Sequence, residues 1–445
     1  MGLKDRIAGI QTIHTAVTAM GRDPTSLKFD MVWSPTKASL EGRNVDLFGT
    51  NNYLGLTFDP ACIEAATEAT ATLGAGTTGS RIANGSYTGH NDLEAEIADF
   101  YGKDHAIVFS TGYVANVGMI SCLGGPGDHL LIDADSHASI YDGCKMSDAE
   151  TIRFRHNSPE DVAKRLRRLE GKPGDKTIIV EGIYSMLGDS APLDEFAAVA
   201  KEAGDDVYLM VDEAHSLGVY GEHGRGKAEA DGIDQDVDFI VGTFSKSVGT
   251  TGGYCVSNLE GFDRLRVLAR PYMFTASMTP GTIATARAAF KIMKEEPERK
   301  DRLWRNAERL YYGAKSLGFR VGPEISPVVA VILDDVETAV KMWNRMIDEG
   351  IYTNIAIPPA TPHAWSLLRV SISAAHDAEQ IDRALNVMAS VGAELGVIEP
   401  SGRERVATPG TRGAELRVIN GGGGPEPVAA VSEVPPAKGR AAPNL

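Results

Sequence analysis

The sequence predicts an α/β protein, a mostly parallel sheet covered by helices, with a smaller α+β region after it. Three observations carry this prediction. Short, unbroken apolar runs of strand length recur between residues 106 and 241, helical patterns separate most of them, and long helices take over after Pro280. Strands buried on both faces read as continuous apolar runs, and helical crossovers between them make the pairing parallel.

In chain order, a polar, partly amphipathic helix occupies the first 30 residues, followed by an extended segment at Ser34-Pro35. With a strand beginning at Val45, this defines an N-terminal helix and arm, 1–45. A large α/β domain is expected over 46–280. It opens with the turn-rich Asn51-Asn52-Tyr53-Leu54-Gly55 and a helix near Cys62. The glycine-rich stretch from Gly74 to Arg81 follows, and a backbone that permissive usually approaches something closely. A helix carrying Leu93, Ile97 and Phe100 precedes strands at 106–109, 130–132, 177–180, 207–211 and 239–241, with helices at 161–169 and 193–203 among them. A small α+β domain, 281–397, is expected from helices at 283–293, 300–317 and 378–392 and strands at 328–332 and 367–372. Of the last 48 residues, 398–445, 15 are Gly or Pro, so a disordered tail is expected there.

Bulk properties exclude several function classes. A net charge of −16 argues against a nucleic-acid partner or an anionic membrane surface as the main target. The four cysteines are scattered without CxxC or His/Cys spacing, which fits a reducing compartment and no metal. The N-terminus lacks the apolar core of a signal peptide, and no apolar run reaches the roughly 18 residues of a membrane span. The expectation is a cytoplasmic protein without a transmembrane segment.

In open parallel sheets the ligand sits outside the carboxyl ends of the strands. Ser110-Thr111-Gly112-Tyr113 joins a strand to a helix N-terminus, whose free N–H groups and dipole favour a phosphate. His137 stands just past another strand. Asp212 ends the apolar run 207–211, where a bare carboxylate is costly unless it meets a side-chain cation, a metal or a protonated heterocycle. Lys246 follows the apolar 237–241 and Gly242-Thr243-Phe244-Ser245. It is either a solvated loop lysine or a Schiff-base lysine whose amine desolvation frees. Together, the phosphate turn, the strand-end acid, the histidines and a lysine 34 residues after the acid suggest pyridoxal 5'-phosphate.

A run of motifs then carries a resemblance: the stretches 51–55, 109–116 and 133–143, Glu181-Gly182-Ile183-Tyr184-Ser185, Val211-Asp212-Glu213-Ala214-His215, Gly242-Thr243-Phe244-Ser245-Lys246-Ser247 and 271–277. In order and spacing, to about residue 397, the chain resembles the α-oxoamine synthases. These are fold-type I, aspartate aminotransferase-like enzymes that use pyridoxal 5'-phosphate to condense an amino acid with an acyl thioester, releasing CO2. The resemblance implies that Lys246 carries the cofactor, Asp212 pairs with its pyridine nitrogen and His137 stacks on its ring. Ser185 and His215 would surround its phenolic oxygen, and Gly112, Tyr113, Thr243 and Ser245 its phosphate. It also implies a homodimer with a shared active site, in which Thr275 and Ala276 reach the partner's phosphate. Arg369 would grip the substrate carboxylate, with Asn52 beside the substrate.

The likeness is strongest to the branch that joins L-serine to a long-chain acyl-CoA or acyl carrier protein thioester, whose lipid product suggests peripheral membrane contact. Two positions depart from that branch: Ile357 stands where some members have a second arginine, and Asn51 where they carry tyrosine. Rival activities in the family are those of glycine C-acetyltransferase, 5-aminolevulinate synthase and 8-amino-7-oxononanoate synthase. A rival outside catalysis is a regulatory subunit.

Overall fold

The computed structural model describes residues 2–358, 361 and 364–399; the expected tail from 400 onward and Pro359 of the Ile357-Pro358-Pro359 loop lie outside the described residues. Its centre is a seven-stranded sheet. Across it the strands run His105–Phe109, Gly253–Ser257, Phe239–Thr243, Val207–Asp212, Lys176–Glu181, His129–Asp133 and Glu150–Phe154. Gly253–Ser257 is antiparallel to both neighbours, and the five strands beyond it pair in parallel. Apart from Gly253–Ser257, each strand delivers its carboxyl end to the same edge of the sheet, where the candidate residues lie.

Two of these strands escaped the sequence pattern for physical reasons. Glu150–Phe154 is an edge strand whose residues are mostly solvent-facing, so it lacks an apolar run. Gly253–Ser257 starts on a glycine directly after a glycine-rich turn. That glycine is required: a Cβ on Gly253 would lie 2.6 Å from the Cα of Gly112.

The N-terminal helix, Leu3–Thr18, is mostly exposed and shorter than expected. Residues 29–47 form a meander, Phe29–Ser34, Lys37–Leu40 and Arg43–Leu47, joined in parallel by Ile351–Tyr352 from far along the chain. A second small sheet orders Val328–Leu333, Ser366–Ser371 and Asn354–Ala356 antiparallel, with Asn354 opposite Arg369. Helix Ala378–Glu394 packs on both Glu298–Ser316 and Val336–Asp348, and those two helices contact this sheet. Ile398 is still buried in the core.

The glycine-rich stretch does approach something closely, and what it approaches is its own chain. Ser277 Oγ donates to Gly85 O at 2.6 Å and lies 2.7 Å from Thr77 Oγ1, and a Cβ on Gly85 would lie 2.1 Å from Gly79 O. The loop 77–85 is therefore a backing for the 275–278 segment.

Candidate active site

The helix Gly112–Leu123 begins where its strand partner ends, with Thr111 as N-cap accepting from Val114 N. A Cβ on Gly112 would lie 2.6 Å from the side chain of Thr243, so the helix N-terminus presses onto the last residue of Phe239–Thr243. Thr243 Oγ1 lies 2.9 Å from Ser245 Oγ and 3.3 Å from Ser245 N. Thr243 and Ser245 hydroxyls and a helix N-terminus thus form a cradle that fits a phosphate. Tyr113 is exposed beside it, its hydroxyl donating to Asp142 Oδ2 at 2.5 Å.

Asp212 is buried at the end of its strand. Its Oδ1 accepts from Ala214 N at 2.9 Å and its Oδ2 from Asn116 Nδ2 at 2.6 Å, while Asn116 also donates to Ser139 Oγ. Lys246 is partly buried. Burial lowers its amine to about 8, against the pull of Asp212 and Glu181, with the positive Arg369 adding to the lowering. Its ordinary value is 10.5, so the amine is neutral over a far wider pH range than a solvated lysine.

His137 caps the helix Ala138–Met146 with its Nδ1 2.8 Å from Ser139 Oγ, and its ring is exposed at the mouth of the site. Desolvation lowers its pKa and the positive charge of Lys246 lowers it further, against Asp212. Its backbone N donates at 2.5 Å to Glu181, a carboxyl pushed well up by burial and by Asp212.

His215 is buried, its pKa driven well down by burial and then by Lys246 and Arg369, so the ring is neutral. Tyr53 Oη sits 2.7 Å from His215 Nδ1 and 3.4 Å from Arg369 Nη2. Tyr53 Oη therefore links the His215 ring to the Arg369 guanidinium, with Asn51 Oδ1 3.4 Å away.

Arg369, from the middle of Ser366–Ser371, is 6% exposed, and besides Tyr53 its fork is held by three groups. Nε donates to Ser185 O at 2.6 Å, Nη1 to Asn51 Oδ1 at 2.8 Å and to Ser371 Oγ at 3.1 Å. Asn52 turns its amide to Thr57 Oγ1 at 2.7 Å and leaves its Oδ1 buried without a partner. The contact with the guanidinium therefore belongs to Asn51. Ile357 follows the strand Asn354–Ala356, whose Asn354 is paired with Arg369.

Thr275 and Ala276 line a small cavity with Arg81, His90, Ser110 and Tyr272. Among the described residues no cluster of His, Cys, Asp or Glu is arranged for a metal, and no helix is long and apolar enough to cross a membrane.

The donor set fits pyridoxal phosphate: a phosphate cradle, a buried carboxylate for a protonated ring nitrogen, a near-neutral lysine amine and an exposed imidazole beside them. Sequence reasoning did not assign roles to Asn116, Tyr53, Ser139 or Glu181. Asn116 had a signal, as the one amide in a helix otherwise of apolar and small residues.

Comparison with known proteins agrees. The family model for class I and II aminotransferases matches residues 43–388. A serine palmitoyltransferase of Caulobacter vibrioides is 56% identical over 405 residues, covering 91% of this chain and 100% of the relative. One of Sphingomonas paucimobilis is 50% identical, covering 84% and 89%. Among solved structures, an SPT with a PLP internal aldimine superposes with a TM-score of 0.87 at 48% identity, covering 89% of this chain and all of the other. The serine palmitoyltransferase of Sphingomonas wittichii gives 0.86 at 49%, with the same coverage.

Proposed function

The chain belongs to the class I and II aminotransferase family, in its α-oxoamine synthase branch, and from that premise we propose that it is an enzyme with serine C-palmitoyltransferase activity. It condenses L-serine with a palmitoyl thioester to give 3-ketosphinganine, the free thiol and CO2. The observation that carries this is the Lys246 amine, brought by burial to about 8, with Asp212 and the Arg369 guanidinium both acting on it.

Pyridoxal 5'-phosphate, when bound, supplies an electron sink for the charge that develops at the serine Cα. Gly112, Thr243 and Ser245 would hold its phosphate and Asp212 its ring nitrogen, with Asn116 fixing the carboxylate. Lys246 anchors the cofactor and takes the Cα proton on Nζ, a role worth roughly 10²–10⁴-fold in such reactions. Arg369, oriented by Ser185 O and Asn51, grips the serine carboxylate. His137, exposed at the mouth, covers the ring and limits access of water.

The acyl donor is a coenzyme A or acyl carrier protein thioester. The working enzyme is a cytoplasmic homodimer in which Thr275 and Ala276 reach the partner's phosphate. Exposed Leu3, Ile7, Ile10 and Ile13 on the first helix support peripheral contact with the membrane that receives the lipid. A product assay pairing serine, glycine and alanine with acyl thioesters of several lengths tests the activity. Serine with the C16 donor should dominate; dominance of glycine with a short donor would overturn the assignment while keeping the cofactor.

A further inference from the structure

Beneath the site lies an ionic cluster that the chemistry above does not use. His156 places Nδ1 2.8 Å from Asp133 Oδ1 and Nε2 2.6 Å from Asp189 Oδ2. Asp133 is fully buried and Asp189 is 5% exposed. The two carboxylates also receive Asn157: its backbone N donates to Asp133 Oδ2 at 2.8 Å and its Nδ2 to Asp189 Oδ2 at 3.2 Å. Asn157 adopts a left-handed φ of 48° to do this, a conformation that asparagine tolerates better than most residues.

The cluster ties together two segments that matter. Asp133 ends the strand whose following turn carries His137, and Asp135 N donates back to Asp133 Oδ1. Asp189 closes the turn from Tyr184: Tyr184 N donates to Asp189 O at 2.8 Å and the His156 ring meets the Tyr184 ring edge-on at 4.5 Å. The next residue is Ser185, whose carbonyl receives Arg369 Nε at 2.6 Å.

We propose that His156 is a positioning residue for the amino-acid substrate: as an imidazolium bridging Asp133 and Asp189 it fixes the 184–189 turn, and through the Ser185 carbonyl it sets the orientation of the Arg369 fork. The inference rests on the reading that Arg369 grips the serine carboxylate. The groups facing the imidazole are Asp133, Asp189, Asp135 at 3.9 Å and the Tyr184 ring. Burial alone would push the ring down, but the hydrogen bonds and charges of Asp133 and Asp189 outweigh it and hold the pKa at about 10. Because that value lies above the ordinary 6.5, the clamp is fully charged below about 6.5 and is lost only as pH rises through about 10.

Asp189→Asn keeps the shape and removes one carboxylate, which brings the imidazole pKa down into the assay range. The test titrates serine against the cofactor-loaded enzyme, following the cofactor absorbance, and records KM and kcat in parallel. For Asp189→Asn, the serine Kd relative to wild type should rise severalfold, roughly 3–10-fold, between about pH 7 and about pH 9, with kcat changed far less. His156→Gln should raise the ratio by a similar factor at every pH. The cofactor-free Asp189→Asn protein should also lose thermal stability at a lower pH than wild type. A pH-independent, wild-type serine Kd in Asp189→Asn overturns the inference even if the protein is less stable, since mere support of the fold would lower Tm without moving Kd. Arg369→Lys separates the two readings. If it raises serine Kd while Asp189→Asn does not, only this inference falls; if neither moves Kd, the carboxylate reading falls and takes the inference with it.

Discussion

Asn116 Nδ2 donates to Asp212 Oδ2 across 2.6 Å, joining the first helix after the phosphate turn to the acid that ends the strand Val207–Asp212. The bond is charge-assisted and buried, and the other Asp212 carboxylate oxygen accepts from Ala214 N. Asn116→Ala removes the donor while leaving the helix packed. A hydrogen bond to a charged group contributes about 1.5–3 kcal/mol, so cofactor affinity should weaken by roughly 10–100-fold. Equilibrium titration of the cofactor-free protein with pyridoxal phosphate measures it. An unchanged Kd would show that the amide does not steady the carboxylate.

Lys246 gives a pH prediction. Its amine titrates near 8 because burial outweighs the attraction of Asp212 and Glu181, and only the neutral amine attacks the cofactor aldehyde. The rate at which cofactor-free protein captures the aldehyde should rise about tenfold per pH unit below 8 and level off above it. Stopped-flow absorbance reads this directly. Asp212→Asn removes a charge that holds the amine protonated, so its plateau should begin at lower pH. Lys246→Ala should abolish turnover and the yellow imine absorption together.

How far these features were legible varies with their physics. The sheet was readable where strands were buried on both faces, as at Val207–Asp212, because burial writes itself as an apolar run. It was unreadable at Glu150–Phe154, an edge strand, and at Gly253–Ser257, which close approach to Gly112 starts on a glycine. Pairing of Arg43–Leu47 with Ile351–Tyr352 joins segments about 300 residues apart, and no local pattern encodes that. In the site, Asp212 and Lys246 stood out as polar groups at the ends of apolar runs. Tyr53, Ser139 and Glu181 did not, since their roles exist only once distant elements converge. The neighbouring pair Asn51 and Asn52 shows the limit most clearly: a loop's sequence does not say which of two adjacent amides faces the arginine.

That pair yields a third prediction. Asn51 Oδ1 holds Arg369 Nη1 at 2.8 Å, in a chain where Ile357 supplies no second guanidinium. Asn51→Ala leaves the Nε and Ser371 contacts in place but removes the nearer of the two acceptors on Nη1. Serine KM should rise by roughly 3–10-fold with kcat nearly unchanged, the signature of lost ground-state binding. Arg369→Lys, which loses the planar fork altogether, should raise it by a larger factor. Steady-state kinetics in serine at saturating acyl donor distinguishes them, and equal effects from both would contradict the geometry.

The last prediction concerns the scaffold behind the 275–278 segment. Arg81 is buried, with Nη1 and Nη2 on the two oxygens of Glu94 at 2.9 and 3.2 Å and Nε on Ser86 Oγ at 2.9 Å. The guanidinium also lies 5.5 Å from the centre of the Tyr272 ring. Glu94 in turn accepts from Val108 N at 3.0 Å, so the pair ties the 77–86 loop to the first strand of the central sheet. A buried pair is weak evidence for net stabilisation, yet removing one partner strands the other charge, at a cost of about 3–5 kcal/mol. Arg81→Met should therefore lower the stability of the cofactor-free protein by that order, partly offset because Arg266 remains 3.4 Å from Glu94. Adding Glu94→Gln removes the stranded charge, so the double variant should be more stable than Arg81→Met alone, a non-additivity that isolates the electrostatic part. Chemical denaturation of the three proteins at one protein concentration checks this. A double variant no more stable than Arg81→Met would show that the arginine acts through packing on Tyr272, with its charge contributing little.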